Sequence, residues 1–152
     1  EEELEKKLSE ARSKKPSKKI LKLAYLGVPP IMNDLYSYIE ERGAKVVFNE
    51  IQREFAFPRQ EKKKNIFEQY LNYTYPYGIE FRIKNLEKDL ADRDVQGIIH
   101  YTQKFCHRAL DNIVLKEKLP YPLLNIEADR EAVLDERTKL RLDAFIDMLG
   151  DM

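Results

Sequence analysis

At 152 residues the chain has the length of one domain with a core of its own. Its 27 basic and 27 acidic residues balance, which excludes the net-charge footprint of a nucleic-acid or anionic-membrane binder. No apolar run approaches the roughly 20 residues of a membrane-spanning helix, and a single cysteine, Cys106, excludes an internal disulfide and fits a reducing, cytoplasmic compartment.

Residues 1–13 read as a short polar helix with Leu4, Leu8 and Ala11 as a thin apolar stripe. Residues 14–19 are basic, contain Pro16 and read as a linker, so residues 1–19 stand apart from an α/β domain over 20–152. The opening Glu1-Glu2-Glu3 is not that of a signal peptide. Residues 20–26 are a mostly apolar strand that runs into the turn Gly27-Val28-Pro29-Pro30, and Pro30 suits a helix start. Ile31, Leu35, Tyr38 and Ile39 recur at helical spacing, with Gly43 as the stop. Val46, Val47 and Phe48 form a second strand.

Residues 51–60 lack a period and are expected to be a long loop packed on Ile51, Phe55 and Phe57, possessing the length of a lid. A helix over 65–72 should face Ile66, Phe67, Tyr70 and Leu71 inward. Tyr73, Tyr75 and Tyr77 follow and are expected to pack under the loop. Ile79, Ile83, Leu86 and Leu90 mark the next helix. Residues 95–101 are a third strand and 105–119 a helix with Ala109, Leu110, Ile113 and Val114 inward. Residues 121–126 are a fourth strand. Asp135 can cap a last helix buried through Leu140, Ala144, Phe145, Met148 and Leu149. Alternation of this kind predicts an open α/β fold: a parallel sheet of about four strands in the flavodoxin-like order 2-1-3-4, with helices on both faces.

In such a sheet ligands sit beyond the carboxyl ends of the strands. Gly27-Val28-Pro29-Pro30, Asn49-Glu50, the stretch from Tyr101 to Cys106, and Glu127 with Asp129 should meet there. Cys106 falls in the first turn of the predicted fifteen-residue helix, where backbone N–H groups favour a thiolate. The ordinary role of a lone cysteine is that of a small buried hydrophobe. His100 and His107 have ligand and acid–base chemistry, but a hydrogen-bonded strand histidine and a surface histidine are the plainer assignments. Glu50, Glu127 and Asp129 can pair for proton transfer or merely cap. Arg137 and Arg141, four apart, can meet a phosphate or form surface pairs. The Gly27 to Pro30 turn is no phosphate loop, because it lacks the glycine pattern and each proline removes an N–H donor.

Five segments resemble the family of 2-hydroxyacyl-CoA dehydratases and benzoyl-CoA reductases. They are Tyr25-Leu26-Gly27-Val28-Pro29-Pro30, Val46-Val47-Phe48-Asn49-Glu50-Ile51-Gln52-Arg53, Tyr70-Leu71-Asn72-Tyr73-Thr74-Tyr75-Pro76-Tyr77, Gly97-Ile98-Ile99-His100-Tyr101-Thr102-Gln103-Lys104-Phe105-Cys106, and Arg137-Thr138-Lys139-Leu140-Arg141-Leu142-Asp143-Ala144-Phe145. The resemblance covers nearly everything from Ile20 onward and implies the C-terminal half of a subunit with two α/β halves. It implies a four-iron four-sulfur cluster between the halves, held by two cysteines of the N-terminal half and one of the C-terminal half, here Cys106. It further implies an acyl-CoA substrate, a second dehydratase subunit, and an ATP-dependent activator protein that delivers the electron for ketyl-radical dehydration. Pro30, Glu50, Gln103 and Glu127 are then expected at the acyl-CoA pocket on positional grounds. With one cysteine the chain departs from the three-cysteine pattern. It is expected to need an N-terminal half supplied from elsewhere, and to be inactive and without a cluster alone. The alternatives are a non-catalytic cluster-relay or scaffold domain and a double-cubane-type reductase domain. An unrelated flavodoxin-like regulator ranks last, since the first strand ends without a phosphoacceptor aspartate.

Overall fold

The computed structural model describes residues 20–56, 65–71 and 78–152. The expected opening helix, the linker, Phe57, and the Tyr73, Tyr75 and Tyr77 segment lie outside the described residues. Four strands, β1 (Leu21–Gly27), β2 (Ala44–Asn49), β3 (Gly97–Gln103) and β4 (Leu123–Ala128), form one sheet in the order β2-β1-β3-β4. Every pair is parallel. This is the predicted topology.

The helices are α1 (Leu35–Glu41), α2 (Glu50–Phe55), α3 (Ile66–Leu71), α4 (Ile79–Ala91), α5 (Asp111–Lys118) and α6 (Glu136–Gly150), with a 3-10 turn at His107–Ala109. Two cores follow from the pleat. On one face Leu23, Tyr25, Ile99, Tyr101 and Ile126 pack against Leu35 and Ile39 of α1 and Leu142, Phe145, Ile146 and Leu149 of α6. On the other, Ala24, Leu26, Phe48 and Ile98 pack against Leu86 and Leu90 of α4 and Leu115 of α5. β1 lies inside the sheet, so the crossover from β1 to β2 and the crossovers that run the other way, from β2 to β3 and from β3 to β4, must lie on opposite faces to stay right-handed. The helices sort accordingly.

Several local expectations are corrected. The first helix starts at Leu35, five residues past Pro30, and Ile31 packs against the core from the preceding turn. Residues 50–55 are helical rather than a loop. Asn49 caps them by accepting a hydrogen bond from Gln52 N at 3.1 Å, Ile51 is buried, and Phe55 is exposed. Ile66 and Phe67 are exposed, not inward. The helix expected over 105–119 is split by the 3-10 turn, whose three residues per turn shift the phase of α5. Leu115 and Leu119 are therefore buried, while Leu110 and Ile113 face out. In α6 the buried stripe is Leu142, Phe145, Ile146 and Leu149, a clean i, i+3, i+4, i+7 set. Leu140, Ala144 and Met148 lie outside it and are exposed.

Gly27 closes β1 with φ +99°, and a Cβ there would overlap the carbonyl oxygen of Tyr101 on the neighbouring strand. Only glycine satisfies both constraints. Gly27→Ala is expected to lower unfolding free energy by more than about 2 kcal/mol, read from urea denaturation.

Candidate functional site at the carboxyl edge of the sheet

The four segments expected to converge do so at one edge, because all four strands run in the same direction. A buried ion cluster at this edge joins the ends of β1 and β2 to the segment that follows β3. Arg82, on α4 and 3% exposed, makes a two-point contact with Glu50, Nε to Oε1 at 2.6 Å and Nη2 to Oε2 at 2.7 Å. Its remaining nitrogen, Nη1, donates to Asp111 Oδ2 at 2.8 Å, at the start of α5. Glu50 Oε2 also accepts the backbone N–H of Gly27 at 3.1 Å. Arg108 of the 3-10 turn reaches the same Asp111 oxygen at 3.4 Å. One guanidinium thus links the ends of β1 and β2 to the segment after β3.

The electrostatics agree with this geometry. Burial opposes the charge on Arg82, but the Glu50 and Asp111 carboxylates outweigh it and raise its pKa above the ordinary value. His100, in the middle of β3 and fully buried, lies against this cluster. Burial first, then the Arg82 charge, lowers its pKa from 6.5 to about 4, although Asn112, Glu50 and Asp111 pull the other way. The ring is therefore neutral near neutrality. Nδ1 lies 3.2 Å from Asn112 Oδ1, which accepts only, so Nδ1 is assigned the proton. Nε2 is left an unprotonated acceptor with no partner among the described residues.

Cys106 lies three residues beyond β3, half-buried and with a free thiol. It is not in the first turn of a helix, as expected, but caps the 3-10 turn. Its N–H donates to Gln103 O at 3.0 Å and its carbonyl accepts from Ala109 N at 2.9 Å. The helix α5 itself begins only at Asp111. Phe105, just before it, has φ +60° and a fully exposed side chain.

The other expected site residues sit at the same edge in different environments. Pro30 is half-buried, and Gln103 and Glu127 are exposed. Glu50 is buried and committed to Arg82 and Gly27. His107 is exposed. Arg141 donates to the carbonyl of Asn125 at 2.6 Å, which accounts for its guanidinium without a phosphate. No helix among the described residues is long and apolar enough to cross a membrane.

A family model described as 2-hydroxyglutaryl-CoA dehydratase, D-component, matches residues 1–149. The chain belongs to that family. No curated protein matches it. Members of the 2-hydroxyglutaryl-CoA dehydratase D-component family are associated with an iron–sulfur component, which makes the donor set at the carboxyl edge worth testing against a cluster. No group of three or more His, Cys, Asp or Glu able to hold a metal occurs among the described residues. With one cysteine in the whole sequence, the chain can offer a cluster one thiolate and no more.

Sequence reasoning missed Arg82, Asp111 and Asn112. A signal for Arg82 was present: it falls three residues after Ile79 and four before Leu86, inside the apolar stripe of α4, where a solvated arginine has no place.

The depressed His100 pKa makes stability pH-dependent with a definite sign. Between about pH 6.5 and 4 the unfolded state binds the proton that the folded state refuses, so the stabilisation is full above the unfolded pKa and is lost as pH falls. His100→Gln should cut the loss of unfolding free energy across that window by about 3 kcal/mol relative to the wild type, in urea titrations at the two pH limits.

Proposed function

We propose that this chain contributes one cluster ligand, Cys106, and one wall of an acyl-CoA pocket to a 2-hydroxyacyl-CoA dehydratase. The other cluster ligands come from a second α/β half carried by another segment or polypeptide. Family membership supports the reaction class. The observation that carries the assignment of Cys106 is its place: a half-buried free thiol at the sheet edge where the strand ends converge. A four-iron four-sulfur cluster held there in part by Cys106 would supply single-electron chemistry for a thioester, with its electron coming from a separate ATP-dependent activator.

The chain's own residues do the rest of the work at this wall. Gln103, with an exposed carboxamide, both donates and accepts, and can hold the thioester or an amide of the pantetheine arm. Glu127 carries an exposed carboxylate one strand away, paired in register with Thr102, and serves as proton acceptor. Pro30 supplies a rigid apolar contact without an N–H to satisfy. Glu50 shapes the pocket indirectly, since its oxygens are held by Arg82 and by the backbone of Gly27. A second dehydratase subunit completes the enzyme.

The test is co-expression with the N-terminal half of such a subunit, anaerobic purification, and a count of iron and sulfide. The complex should carry iron and sulfide, and Cys106→Ala should lose most of both. Retention of wild-type iron by Cys106→Ala would refute the ligand role. Iron without turnover on 2-hydroxyacyl-CoA in the presence of activator and ATP would instead mark a relay or scaffold domain.

A further inference from the structure

Cys106 stands in a short segment with an unusual backbone, and the means of holding that segment are visible. Phe105 occupies the left-handed region at φ +60°, which is unfavourable for a residue with a Cβ. Its ring is wholly exposed and gains nothing from packing to offset that cost. The turn is closed locally by the Cys106 N–H bond to the Gln103 carbonyl at 3.0 Å, and the segment is anchored on both sides of it. Upstream, Lys104 N donates to the carbonyl of Ala128 at 3.2 Å, tying the segment to the end of β4. Downstream, Arg108 and Arg82 share Asp111 Oδ2, at 3.4 Å and 2.8 Å. Arg82 is in turn fixed by its two-point contact with Glu50.

A buried charge cluster of this kind is a poor device for stability alone, since well-packed apolar residues of similar volume usually do as well. Its geometry serves a different end. Arg82 sits on the helix that crosses from β2 to β3, and its three nitrogens face the β2 end on one side and the start of α5 on the other.

We propose that Arg82 is a positioning residue for Cys106: acting through Asp111 and Arg108, it holds the Phe105–Ala109 turn against the sheet so that the thiol is presented in one fixed place. The importance of that place rests on the proposed ligand role, but the positioning itself can be tested in the chain alone.

The experiment is the rate of Cys106 alkylation by iodoacetamide in the full chain, reduced and without iron, with folded fraction monitored by far-UV circular dichroism. Asp111→Asn, which weakens the shared contact, should speed alkylation roughly threefold or more at unchanged fold, because the turn opens locally more often. Arg108→Gln removes the Arg108 arm of the shared contact while Asp111 keeps its bond from Arg82, and should give a similar rise. Arg82→Lys keeps the charge but loses the planar fork, so its rise should be smaller than that of Asp111→Asn. Asp89→Asn is the control: it disrupts a separate ion cluster, where Arg53 reaches Asp89 at 2.6 Å, and should leave the rate unchanged. Folded Arg108→Gln reacting at the wild-type rate would overturn the proposal, and so would equal acceleration by Asp89→Asn. Because no iron is involved, either result leaves the ligand role of Cys106 to be decided by the metal count.

Discussion

The two-point contact between Arg82 and Glu50 is the constraint on which the carboxyl edge depends. Both groups are almost completely buried, and neither charge is tolerable there without the other. Glu50 follows directly on β2, and its second task is to accept the N–H that β1 leaves unpaired at Gly27. Arg82 comes from the crossover helix and has one nitrogen to spare for Asp111. Four segments distant in sequence are thereby given one electrostatic centre. His100 lies beside it and is kept neutral by the same burial and the same positive charge.

The fold explains why this centre forms at that edge. In a wholly parallel sheet every strand delivers its carboxyl end to one side, and every following loop begins there. The two faces are sealed by separate apolar clusters, so the edge is where polar groups can gather without breaking a core. A second charge cluster, Arg53 with Glu54 and Asp89, ties the α2 helix to α4. Arg93 adds to it from just beyond α4, over the Phe48 ring. Charged residues that look like surface decoration in the sequence are in this way interior fastenings.

The topology was legible because the alternation of strands and helices, joined to right-handed crossovers, leaves few arrangements open. The convergence of strand ends followed from the same rule. Helix α2 was not legible: Ile51 and Glu54 are both buried, and a stripe that includes a glutamate has no apolar period to detect. The inward face of α5 was misassigned because a 3-10 turn between Cys106 and the helix resets the phase, and nothing in His107-Arg108-Ala109 announces it. The role of Glu50 could be read only by half. Its place at a strand end was evident, but its partner lies 32 residues away on a helix whose buried face mixes Leu86 and Leu90 with the charged Asp89.

The central position of β1 has a kinetic consequence. Its pairing with β3 is long-range, setting Leu23 opposite Gly97 and Gly27 opposite Tyr101. A growing polypeptide emerging from the ribosome can pair its first strand with its second early, yet must leave the opposite backbone rim of that strand bare until the third has been made. Non-local closure of this sort is slow, and an unpaired rim invites association with other nascent chains. During synthesis that rim stays open until Gly97 arrives to cover Leu23.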